Sequence, residues 1–380
     1  MKIKNIYSII ICLCCCFIIT SCTDESDPLS GSNPVIPENP STPSETLDTI
    51  DYRAWIWIEK SDLQRYGGER IFKSKLKTFF RHTTLFWNES KNKFSHYYRF
   101  VPSDDLYIYD TNGNQDKYDE FKNQAYGPMD ITKHDFVVFF ALNAKSNGLS
   151  CGGGGKSGQS VVMCYQTNAN DIFEKQYPEK GTYSDMGHEY GHVRGAIDLY
   201  QHIIAKNDNP VTNVELVPDK CNMGTGYMEW SDYCSALFNY TAPYKQLPSD
   251  LDEKSFPKKL KISALKDGQA QRSVELKFYG TRAGGSKNNR DVYPTPYKIH
   301  RTNSSGTYEV TNIKDYYFPD ANDPDIPPKE VFPYWRWFGF VIVATAADGS
   351  SDWVWLPDYK IQEYKLRTGN DIYEVVMNLK

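Results

Sequence analysis

The sequence predicts two folded domains in series, an α/β (α+β) domain over residues 50–248 and an all-β sandwich over residues 249–380. Three features predict this. In the first part, strand-like runs alternate with apolar residues at the three- and four-residue spacing of an amphipathic helix. One run, Phe136-Val137-Val138-Phe139-Phe140-Ala141-Leu142, has no polar face and reads as a central strand covered on both sides. Past Pro248 the helical period disappears, and short strands are separated by turns rich in Gly, Asn, Asp and Pro.

Taken in order, Tyr52 to Ile58 is a strand-like run bounded by charges. Phe72, Leu76, Phe79, Phe80, Thr83, Phe86 and Trp87 then fall on one face of a helix. Phe94 to Val101 and Leu106 to Tyr109 read as two strands, and Val161 to Tyr165 as an edge strand. Ser231 or Asp232 is placed to cap a helix through Tyr233, Ala236, Leu237 and Tyr240. In the second domain the expected strands are Val274 to Phe278, Thr307 to Val310, Phe338 to Thr345, Trp353 to Leu356 and Ile372 to Met377.

With 380 residues, 40% of them hydrophobic and 28 of them tyrosine, the chain has enough apolar material for two cores. A net charge of −5 provides no basic field for nucleic acid, so none is expected as a partner. A monomer is expected.

Lys2 and Lys4 precede an apolar stretch, Ile6 to Ile19, that is short for a membrane span. It ends in Ile19-Thr20-Ser21-Cys22, which resembles the lipobox of bacterial lipoproteins. The resemblance implies a leader over residues 1–22 and a lipid anchor at Cys22. The acidic run after Cys22 is similar to the export signals of Bacteroidetes lipoproteins, which implies an outer-membrane, cell-surface location. Residues 23–49, rich in Pro, Ser, Asp and Glu, read as a flexible tether.

Four cysteines lie beyond the leader and anchor: Cys151, Cys164, Cys221 and Cys234. In an exported protein they allow two disulfides in any of three pairings, the simplest being Cys151 with Cys164 and Cys221 with Cys234. No CxxC spacing is present to suggest an all-cysteine metal site.

The chemistry concentrates at His188-Glu189-Tyr190-Gly191-His192, an HExxH pattern. On a helix, residues four apart share a face, so both imidazoles can meet one zinc ion. Glu189 is offset by one residue, where it can take a proton from water acidified by the ion. Gly195 can adopt a left-handed conformation and turn the chain back, so that Asp198 offers a carboxylate as third ligand. Glu229 is the alternative third ligand, with Glu215 a weaker one.

The extended pattern HExxHxxGxxD resembles the metzincin clan of zinc peptidases, in the form with Asp as third ligand found in the snapalysin group. Asp198-Leu199-Tyr200 is also similar to the Asp-x-Tyr endings of immune-inhibitor-A-like and IgA-peptidase-like enzymes. The likeness covers the layout from Tyr52 to Tyr240, but specific residues only from His188 to Asp198. It implies a metzincin-like zincin fold, one catalytic zinc on His188, His192 and Asp198, and Glu189 as general base. The implied reaction is hydrolysis of peptide bonds in extracellular proteins or glycoproteins. It also implies a Met-turn beneath the metal, for which Met223 is the candidate and Met228 the second. A Glu229 ligand would instead resemble the thermolysin-like arrangement.

Other signals are weaker. Cys151 to Ser157 looks like a phosphate loop but lacks its first glycine, and reads as a cleft-rim loop. Asp110 to Asp116 lacks the glycine register of a calcium loop and reads as an Asn-Gly turn. Asp320, Asn322, Asp323 and Asp325 could hold calcium but read as a polar loop. Tyr334, Trp335, Trp337, Trp353 and Trp355 could line a sugar platform, although strand aromatics more often fill cores. A different reading of the whole makes this a surface binding protein, holding glycan or host protein on the second domain beside a degenerate zinc site. The intact Glu189 argues against it.

Overall fold

The computed structural model describes residues 47–380 apart from 128, 142–147, 153–160, 166–171, 225–226, 284–289, 321 and 328–335. The expected leader, Cys22 and nearly all of the tether lie outside the described residues. Among the described residues no helix is long and apolar enough to cross a membrane.

The first domain runs β1 (Thr49–Glu59), α1 (Lys60–Arg65), α2 (Glu69–Trp87), β2 (Tyr97–Tyr109), α3 (Gln115–Ala125), β3 (Phe136–Ala141), β4 (Gly148–Gly152), β5 (Val161–Tyr165), α4 (Thr182–Val193) and α5 (Asp232–Thr241). Its sheet has the order β2-β1-β3-β5-β4, parallel throughout except for β4, which pairs antiparallel with β5 at one edge. β3 is the centre, and all of its residues are buried. The strand period explains why it needs no polar face. Phe136, Val138 and Phe140 point into a core built with Phe72, Leu76, Phe80, Met186 and Tyr190 of α2 and α4. Val137, Phe139 and Ala141 meet Tyr118 and Ala125 of α3 on the other side.

Helix α2 buries the face its spacing predicts. Ser231 caps α5 by accepting the Cys234 N–H at 3.2 Å. Other expectations need correction. The two strands expected between Phe94 and Tyr109 are one, β2, whose register against β1 slips between Ala54 and Ile56. The extra residues there are the polar Ser103 to Asp105, which hid the continuity. β5 is interior, because the glycine- and serine-containing stretch before it forms the true edge, β4. Asn112 and Gly113 do form a left-handed turn, and Asn114 then caps α3.

The second domain runs α6 (Leu251–Ser255), β6 (Lys259–Lys266), β7 (Gln269–Ala270), β8 (Glu275–Arg282), β9 (Asp291–Val292), β10 (Lys298–Arg301), β11 (Thr307–Thr311), α7 (Ile313–Tyr317), β12 (Gly339–Thr345), β13 (Ser351–Pro357), α8 (Asp358–Thr368) and β14 (Ile372–Asn378). One sheet has the order β10-β8-β12-β13, with β9 on β8; the other has β11-β6-β14, with β7 on β6. Leu260, Ile262 and Met377 from one sheet share a core with Phe278, Phe340 and Ile342 from the other.

This domain is not all-β, which corrects the expectation. α8 is 11 residues long and connects β13 to β14, which pairs parallel with β6. Its sequence shows no single apolar stripe because two cores share it. Tyr359 packs into the first domain's core and Ile361 into the second's. The sugar-platform expectation also weakens, because Trp337 is fully buried and only Trp353, at 38%, is well exposed. Tyr334 and Trp335 lie outside the described residues. Asp323 and Asp325 are ion-paired with Lys298, an arrangement that already supplies their positive partner.

Candidate metal centre

Helix α4 turns Met186 and Tyr190 into the core, which leaves His188 and His192 half-buried on another face. The helix stops at Gly195, whose φ of +88° is the left-handed conformation expected of it. Gly195 N–H donates to His192 O at 2.9 Å and Ala196 N–H to Gly191 O at 3.0 Å, the paired bonds of a Schellman ending. A side chain at Gly195 would also press on Leu251 and Leu247. The chain therefore reverses and brings Asp198 back over the helix.

Asp198 Oδ1 lies 3.1 Å from His188 Nε2 and 3.1 Å from His192 Nε2. Both Nδ1 atoms face backbone carbonyls, His188 that of Asn222 and His192 that of Ala196, each at 2.8 Å. A carbonyl only accepts, so each Nδ1 carries a proton and a neutral ring turns its Nε2 lone pair toward Asp198. Three electron-rich atoms converging in this way need protons or a cation between them. Without a metal, burial opposes protonation of His188, but its bond to Asp198, the charges of Glu189 and Asp198 and the Asn222 carbonyl together outweigh it and raise the imidazole to about 9. Burial also opposes ionisation of Asp198, yet its bonds to His188 and His192 hold it far below the usual carboxylate range.

The donor set fits zinc. Bonds of ~2.0–2.1 Å in a tetrahedron put neighbouring ligand atoms about 3.3 Å apart, and the two carboxylate–imidazole spacings are 3.1 Å. Among the described residues, His188, His192 and Asp198 form a group of side chains close enough together to hold a metal ion. Glu189 is 8% exposed, and burial raises its carboxyl against the pull of the two imidazoles. Glu229 and Glu215 are exposed and outside the group.

Met223 is fully buried against α4. A Cβ built on Gly191 would lie 2.6 Å from its sulfur, so the glycine in the HExxH run is what lets the methionine in. Met223 O accepts the N–H groups of Leu199 and Tyr200 at 2.8 and 3.3 Å. The loop thus grips α4 through Asn222 and the turn bearing Asp198 through Met223. Met228 is only packed against the edge of the core, and Tyr227 is exposed beneath the Lys220 ammonium.

Cys221 and Cys234, one of the expected pairs, are free buried thiols here, with their sulfurs side by side at 3.3 Å. Cys151 is opposite Val162 in the β4–β5 ladder, and Cys164 opposite Leu149, a diagonal rather than a facing relation.

Some partners went unread. Asp198 Oδ2 accepts from Tyr200 Oη at 2.8 Å and Gln201 Nε2 at 3.1 Å. The Asp-x-Tyr spacing signalled Tyr200; nothing nearby signalled what the second domain adds. Arg290 Nη1 donates to Tyr200 O at 2.7 Å, and Asp358 Oδ1 meets His202 Nε2 at 2.8 Å.

No family model matches the chain, and no curated protein matches it. One solved structure, described as a chaperone-substrate complex, is similar over 53% of this chain and 35% of its own, at 12% identity and a TM-score of 0.30. The aligned part spans about a third of that chain, and at that score the likeness carries no argument.

Proposed function

We propose that this chain is a zinc-dependent endopeptidase, with His188, His192 and Asp198 as ligands and Glu189 as general base. The observation that carries it is the convergence of two imidazole Nε2 atoms on one carboxylate oxygen, each at 3.1 Å, with both Nδ1 protons already committed to carbonyls. A divalent cation satisfies all three donors at one point, and two imidazoles with a carboxylate suit zinc.

Zinc, when bound, supplies Lewis acidity toward water and a substrate carbonyl. The chain's own part is proton handling. Glu189 is one residue along from His188, and its buried carboxylate has a raised pKa that suits it to take a proton from water and pass it to the leaving amine. A peptide substrate is favoured by the sheet. α4 packs beside β4, and among the described residues no strand pairs with the outer edge of β4. An extended peptide can add to such an edge as a further strand. The finer, metzincin-like assignment is supported by the Gly195 turn and by Met223 packed against Gly191. With the lipobox-like Cys22, the natural substrates would be proteins outside the cell.

Metal content by mass spectrometry tests this. The wild-type protein should hold one zinc per chain, Asp198→Ala should lose it and Glu229→Ala should keep it. Glu189→Ala should keep the metal while losing hydrolysis of unfolded protein substrates. Wild-type protein that takes up no zinc from excess metal would sink the proposal.

A further inference from the structure

We infer that Arg290, a residue of the second domain, is a positioning residue for Asp198 and acts through Tyr200; the inference rests on the metal-centre reading above. Asp198 enters the site from a short irregular segment. After Gly195 the first regular piece is a single 3-10 turn, Leu199–His202. The direction of the carboxylate is set by its second oxygen, which accepts from Tyr200 Oη and Gln201 Nε2, both on that turn. Asp198 is therefore held only as firmly as the turn itself.

Met223 O holds the turn from one side, and the second domain adds a hold at three places. Arg290, just before β9, donates to Tyr200 O at 2.7 Å and lies 5.4 Å from the centre of the Tyr200 ring. The same ring stacks near His188, with centroids 6.3 Å apart and planes inclined by 17°. One guanidinium thus fixes the backbone and the ring of the residue whose hydroxyl orients the third ligand. Two residues on, His202 bonds to the fully buried Asp358, which is also paired with Arg336. Beyond it, Ile204 and Leu216 pack with Val292 of β9 and Val341 of β12. Among these, Arg290 has the shortest route to the metal ligand, through one side chain. A hydrogen-bond partner of a metal ligand, here the Tyr200 hydroxyl, is typically worth about 10–100-fold in affinity, and Arg290 stands one step behind it.

The test compares zinc affinity, by chelator competition, and the visible bands of the cobalt-substituted protein across wild type, Arg290→Ala, Tyr200→Phe and the double variant. Cobalt bands report ligand geometry, which a merely structural loss elsewhere would leave alone. Tyr200→Phe should bind zinc about 10–100-fold more weakly, and Arg290→Ala more weakly by a smaller factor, both with shifted bands. The double should be no weaker than the worse single, because both act along one path. Wild-type affinity and unshifted bands in Arg290→Ala, or fully additive losses in the double, overturn the inference. Should Arg290→Ala not fold, Tyr200→Phe removes one hydroxyl only, and unchanged affinity and bands there overturn it equally. A wild type that binds neither zinc nor cobalt overturns the metal centre itself, and the role of Arg290 with it.

Discussion

The two oxygens of Asp198 face different regions of the molecule. Oδ1 meets His188 and His192, ten and six residues earlier, on a helix that ends in its own Schellman turn. Oδ2 meets Tyr200 and Gln201, which are nearby in sequence, on a turn whose Tyr200 and His202 are bonded to groups 90 and 156 residues away. The first region is assembled by local rules of helix periodicity and termination. The second also draws on residues far along the chain, Met223 on one side and Arg290 and Asp358 on the other. The three side chains of the site are placed locally, and part of what holds them is not.

The largest effects should come from the Oδ1 side. In the metal-free protein the raised pKa of His188, at about 9, means folding takes up a proton. That contribution is complete below the unfolded value of about 6.5 and is lost as pH rises through 9. Asp198 has the opposite sign: its depressed pKa contributes above about pH 4 and is lost on acidification. The metal-free protein should therefore lose thermal stability from about pH 6.5 to 9. Zinc binding competes with those protons, so the loaded protein should hold its Tm over the same range. Melting curves with and without zinc across that interval check both, and a metal-free Tm that is flat from pH 6.5 to 9 contradicts the pairing.

On the Oδ2 side, Asp358→Ala should cost about 3–5 kcal/mol of stability, because it leaves the buried His202 and the Arg336 guanidinium facing an empty place. Denaturant titration measures this. A loss below 1 kcal/mol, about a typical surface change, would mean that the domains are joined mainly by the apolar contact of α5 with α8.

The same contrast explains what could be read in advance. α2, β3 and the Ser231 cap each follow from residues within one element, and Gly195 announces its turn because few other residues accept φ of +88°. β4 was hidden because Gly148 to Gly152 carries the composition of a loop, and its strand character comes from the ladder with β5. α8 was hidden by dividing its apolar residues between two cores. β6 was legible in principle, since the buried Leu260, Ile262 and Ala264 alternate with the half-buried Lys259, Lys261 and Ser263, but the lysines masked a strand whose other face is partly solvated. Nothing in sequence could mark Arg290, because its partner is a backbone carbonyl, and every residue has one.

The smallest of these effects, and the one that tests how locally the site is built, is at Gly191. An added methyl would sit 2.6 Å from the Met223 sulfur, with the Phe238 ring 3.6 Å away, so the methionine must move. Met223 is flexible at its tip, which keeps the cost of overpacking near 1–3 kcal/mol. Its backbone carbonyl, however, binds Leu199 and Tyr200, so a shift that reaches the main chain also reaches the turn bearing Asp198. Gly191→Ala should thus lower Tm and weaken zinc binding together, and Gly191→Ala with Met223→Ala should recover part of both, since the shorter side chain clears the space. A double variant as weak as the sum of its singles would show that the methionine and the glycine act separately, and that the loop holds the helix through Asn222 alone.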